Sequence, residues 1–100
     1  MATIHTIDTI ISDPQVRGGQ PIIFGTTLRV SDLIASHIYR GLSAEELAIN
    51  FALDLGRVYA ALAYYYQHKA EIDQQMRVDA AKADRLLADF DAQKRLIRVE

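Results

Sequence analysis

Four arginines, Arg17, Arg29, Arg40 and Arg57, punctuate the first sixty residues and carry guanidinium groups suited to phosphate. Two of them lie in "RGGQPIIFGTTLRVSDLI", residues 17–34, which also holds three glycines and a Thr-Thr pair. A loop that grips phosphate needs glycines that free backbone N–H groups, followed by Lys and Ser/Thr at a helix start. This stretch has no Gly-Lys-Ser/Thr, and a β-prone run follows the first glycines. The dinucleotide fingerprint fails as well, because its glycines must open a helix directly after a strand. The glycines therefore read as turn residues flanking a hairpin. His5, His37 and His68 are far apart and none has an i,i+4 helical partner, so no metal site is expected. Asp8, Asp13 and Asp32 fit turns and caps, and Ser31 and Ser43 fit helix caps, so neither set calls for a nucleophile. The expectation is a non-enzyme with no cofactor; a small hydrolase is the weakest reading, for want of clustered catalytic groups.

Length and composition fit that expectation. One hundred residues support one modest core, and the chain is half hydrophobic and a quarter charged. It has no cysteine, so disulfides and thiolate sites are excluded. Its apolar runs are too short for a membrane span, and "MATIHTIDTI" lacks the pattern of a signal peptide. A cytoplasmic protein without a membrane partner is expected. The net charge of −2 argues against a strongly basic nucleic-acid binder, though not against a local basic patch.

The elements that must position these residues can be read from the pattern. "IHTIDTII" alternates as a strand and "SDP" turns it. "PIIF" and "TLRV" read as a hairpin around Gly25-Thr26, with the glycine first in a type II′ turn. Ser31 is the expected N-cap of a helix over 31–40, stopped by Gly41. Ser43 and Glu46 have the spacing of a capping box, opening a second helix to about Phe51. Asp54 is the expected third N-cap. From Arg57 onward there is no glycine or proline, which predicts one long helix from about Leu55 to about Phe90. The acid-first pairs Asp73–Arg77 and Asp91–Arg95 support it. Such a helix would run roughly 50 Å, so its far half must pack on something else or bend back at an unmarked break. The fold class is mainly α: a small N-terminal strand and hairpin, then a trihelical helix-turn-helix with a long C-terminal helix. Residues 1–70 form the first unit and 71–100 a C-terminal extension.

In that arrangement the third helix would be the recognition helix. Leu55, Val58, Leu62 and Tyr65 share its inward face, leaving Gly56, Arg57, Ala60, Ala63 and Tyr64 outward. Base edges are usually read by Arg, Lys, Asn or Gln, and here Arg57 alone qualifies. The expected DNA-contacting set is Arg29, Arg40, Arg57, Ala60 and Tyr64, with Arg17 as a further phosphate contact. So few charges predict weak binding by one subunit, and useful affinity for double-stranded DNA would require a dimer.

"SDPQVRGGQPIIFGTTLRVSDLI", "GLSAEEL" and "VYAALAYYY" together resemble a prokaryotic family catalogued as domain of unknown function 433, over roughly residues 8–70. Its members look like helix-turn-helix antitoxins of type II toxin–antitoxin pairs. The resemblance implies a small, often dimeric domain that binds its operon DNA, and a nuclease toxin of PIN-like type as partner. The family pattern often has arginine directly after the Gly-Thr and proline two positions later. This chain has Thr27 and Arg29 there, and Arg29 would supply the missing charge from the same strand face. The alternative is an interaction module whose helix-turn-helix does not bind DNA.

The tail bears on both readings. Val58, Leu62, Tyr65, Ile72, Met76, Ala83, Leu86 and Phe90 follow a 4-3 spacing, interrupted by Lys69 and Asp79. Ile72, Met76, Leu86, Leu87 and Phe90 are the expected anchors for a partner groove. The same stripe could equally pair with its twin in a homodimer.

Overall fold

The computed structural model describes residues 1–5 and 7–97, with side chains described as far as Lys94. The chain is mainly helical. A two-stranded antiparallel sheet joins β1 (Ile10–Ile11) to β2 (Ile22–Ile23), in the register Ile10 to Ile23 and Ile11 to Ile22. Four helices follow: α1 (Val30–Tyr39), α2 (Ala44–Asn50), α3 (Leu55–Gln67) and α4 (Lys69–Ile97). Among the described residues no helix is long and apolar enough to cross a membrane.

The strand partners differ from the expected hairpin. "PIIF" pairs with Ile10–Ile11, and the "TLRV" segment contributes only an isolated bridge, Arg29 to Ile22, beside Ile23 N–H donating to Leu28 O at 3.0 Å. Thr26 explains why no ladder forms. Its hydroxyl donates to Ile23 O at 2.7 Å and accepts from Leu28 N–H at 3.0 Å, so the loop satisfies its own backbone. Gly25 (φ +84°) is the third residue of the Ile23–Thr26 turn, as type II requires, and not the first residue of a type II′ loop.

Two of the three caps fall where the sequence places them. Ser43 N–H donates to Glu46 Oε1 at 2.9 Å and Glu46 N–H to Ser43 Oγ at 3.2 Å, the reciprocal box. The Ser43 backbone N–H, and after it the Ser43 hydroxyl, hold the Glu46 carboxyl below its ordinary pKa. Asp54 is the N-cap of α3, although its carboxylate pairs with Arg57 Nε at 3.1 Å instead of capping. The cap of α1 is corrected. Arg29 holds the N-cap position, its N–H donating to Asp32 Oδ2 at 3.3 Å. Ser31 lies inside the first turn, buried, and its hydroxyl has no hydrogen-bond partner among the described residues. The bridge of Arg29 to Ile22 makes Arg29 the last extended residue, so the cap lies two residues before Ser31. Gly41 (φ +67°) ends α1 as expected.

The largest correction concerns the long helix. It breaks at His68 (φ −126°, ψ 36°), with no glycine or proline at the break. The turn lets α4 lie against α1 and buries Ile72 and Met76 beside Val30, Leu33, Ile34, Leu47, Val58, Ala61 and Tyr65 in one core. Burying those two side chains contributes about 1.5–3 kcal/mol each. That outweighs the helical hydrogen bonds lost, at about 0.5–1.5 kcal/mol apiece. The core thus runs to Met76, past the expected unit boundary at residue 70. Beyond Asp79 every described residue to Lys94 is exposed, and the molecule measures 77 × 29 × 24 Å.

Candidate interaction surface

The residues expected to meet DNA are scattered in exposure and chemistry. Arg40, at the C-cap of α1, is exposed. Arg57, on the first turn of α3, is half-exposed, paired to Asp54, and its guanidinium packs over Gly25; a β-carbon there would sit 3.7 Å from Nη2. Arg17 donates from Nη1 to Thr27 O at 3.1 Å and meets Asp32 at 3.5 Å, which anchors its left-handed backbone (φ +49°). Ala60 and Tyr64 are half-buried on the outer side of α3. They form one wall of an open groove whose other wall is His5, Ile7 and Ile10 of the chain's own N-terminal segment. Tyr64 stacks on His68 at 4.2 Å, and burial raises its pKa. The outer face of α3 therefore carries one cation and a lining of small and apolar groups.

Arg29 is a correction to the expected set. It does not stand on an exposed strand face. Its side chain is 13% exposed, and three parts of the chain hold its guanidinium. Nη1 donates to Gln20 Oε1 at 2.9 Å, just before β2. Nε and Nη2 donate to the Asp32 carboxylate of α1 at 3.1 and 2.7 Å. Nη2 also meets Asp79 Oδ2 of α4 at 3.1 Å. The Asp32 bonds, against a smaller opposing cost of burial, raise the Arg29 pKa above its ordinary value. A fork so engaged is not available to phosphate. The sequence signal for this arrangement is Asp79 itself, a charged residue in an apolar stripe, which must find a partner if that stripe packs.

The tail anchors divide into two groups. Ile72 and Met76 are 4% and 5% exposed, inside the chain's own core, which removes them as partner contacts. Leu86, Leu87 and Phe90 are 69%, 63% and 59% exposed on the projecting half of α4. Asp91 lies on that half too, but the side chain of Arg95, its expected partner, is outside the described residues. Where α3 meets α4, a cluster absent from the sequence reading joins them. Tyr65 Oη donates to Asp73 Oδ1 and Lys69 Nζ to Asp73 Oδ2, each at 2.7 Å, with Lys69 Nζ 5.5 Å from the Tyr65 ring centre. These bonds lower the Asp73 pKa and raise that of Lys69, while burial raises that of Tyr65.

Comparison with known proteins agrees with this architecture. Residues 10–65 match the model of the family described as protein of unknown function DUF433. A crystal structure of a DUF433 member protein from Anabaena variabilis is similar, with 32% sequence identity and a TM-score of 0.64, over 70% of this chain and 69% of that one. No curated protein matches. The chain belongs to the DUF433 family of proteins of unknown function.

Proposed function

We propose that this chain is a non-enzymatic, antitoxin-like interaction protein whose projecting half of α4 engages a protein partner. One observation carries the reading: Leu86, Leu87 and Phe90 stand exposed on a helix that leaves the body after Asp79. An isolated helix of that length is marginal in water, so the segment gains from a surface that buries its apolar residues. On this reading the partner is a PIN-like nuclease and the working form a dimer.

The test is inhibition of a co-encoded PIN-like nuclease by the full chain and by a chain ended after Ala81. Inhibition by the full chain and none by the shortened one supports the reading. Equal inhibition by both places the partner surface on the body.

DNA binding is the second reading, favoured by Arg57 on the outer first turn of α3 beside exposed Gly56. The dimer would bind its own upstream DNA through α3, with Arg40 on the phosphates. A titration against that DNA and a scrambled duplex at two salt concentrations tests it. Preferential binding weakened by Arg57→Ala supports a DNA reader. Equal or absent binding leaves the interaction module alone.

A further inference from the structure

The start of α4 is held to α3 by the Tyr65–Asp73 bond, its next two turns by apolar contact, and the place where it leaves the body by an ion pair. Ile72 and Met76 hold α4 by apolar contact, which resists separation but is non-directional, so it restrains roll and tilt weakly. Asp79, the next residue of the same stripe, is half-buried, and every residue after it as far as Lys94 is exposed. Its carboxylate receives Arg29 Nη2 at 3.1 Å and Gln75 Nε2 at 2.9 Å. Arg29 is itself fixed by Asp32 and Gln20, as described above. Guanidinium–carboxylate pairing is directional, because the planar fork sets both distance and orientation.

We infer that the Arg29–Asp79 pair is an orienting clamp that fixes the direction in which the projecting half of α4 leaves the body. The inference rests on reading that half as the interaction element. Residues 80–97 span about 27 Å of helix, so a tilt of about 10° at Asp79 moves the tip by about 5 Å. One side-chain pair at the base thereby decides where Leu86, Leu87 and Phe90 are presented. Arg29 and Asp79 are positioning residues and touch no partner.

The absence of cysteine makes the test clean. Spin labels at Glu45→Cys on α2 and Ala92→Cys on the projecting half report the angle through their distance distribution, with no partner present. The unsubstituted pair should give one narrow distribution. Asp79→Asn should broaden or shift it by several ångströms, Arg29→Met should do the same, and Arg29→Lys should recover part of the order. Circular dichroism checks that each variant stays folded. If Arg29→Met unfolds, Asp79→Asn alone decides, since it leaves Arg29 on Asp32 and Gln20. A folded Asp79→Asn protein with an unchanged distribution overturns the clamp and leaves the interaction reading standing. Loss of that reading shows instead in the nuclease assay, when the chain ended after Ala81 still inhibits.

Discussion

Asp73 accepts from Tyr65 on one side of the His68 break and from Lys69 on the other, so one carboxylate ties the end of α3 to the start of α4. Its pKa is depressed in the folded protein, chiefly by the Lys69 bond and then by that of Tyr65. A depressed carboxylate contributes stability above its unfolded pKa and loses it as pH falls through the folded value. Lys69, with a raised pKa, contributes below its unfolded value and loses that as pH rises through the folded one. Asp73→Asn should therefore be less stable than the parent at neutral pH. The gap should close below about pH 4 and again above about pH 10. Urea denaturation across that range measures it, and a pH-independent gap would mean that the ion pair contributes nothing. The sequence analysis pairs Asp73 with Arg77, whereas the structure gives it Lys69, four residues before, and Tyr65, which enters only because the break brings it over.

At the scale of elements, the behaviour of α4 depends on where it is cut. A chain ended after Lys69 loses Ile72 and Met76, and comparable core deletions cost about 2–5 kcal/mol each. Against a total stability of about 5–15 kcal/mol, that chain should be largely unfolded at 37 °C. Ended after Ala81, the chain keeps both residues and Asp79, and should melt within a few degrees of the full protein. Thermal denaturation followed by circular dichroism separates the two, and a cooperative melt of the shorter chain would contradict the burial argument. Most of the elements were legible in the sequence. Capping at Ser43, the stop at Gly41 and the start at Asp54 depend on neighbours within four residues, and local chemistry decides them. The start of α1 was misplaced because Ile22, seven residues upstream, holds Arg29 extended. The break at His68 carries no local mark at all.

The whole molecule is a small body with an arm. Its Cα radius of gyration is 17.4 Å, whereas a compact domain of this length has about 13 Å. Small-angle scattering of the monomer should return the extended value, and the chain ended after Ala81 should fall toward the compact one. A full-length monomer near 13 Å would mean that the projecting half folds back onto the body. The mass from the same data reports a dimer directly, the other use open to the Leu86 and Phe90 stripe.

By itself the sequence determined the mainly helical class, the order of the elements, most of the caps and the family, because these depend on local spacing and on turn residues at fixed offsets. It also marked Leu86, Leu87 and Phe90 as apolar positions on a charged helix. Only the tertiary structure decided that Ile72 and Met76 belong to the chain's own core while those three do not. It also decided that the Arg29 guanidinium is held by Gln20, by Asp32 of α1 and by Asp79 of α4. The physical reason is shared: an apolar stripe or a lone arginine has the same local pattern whatever covers it. Its fate is set by a neighbour fifty residues away in sequence, as Asp79 is from Arg29.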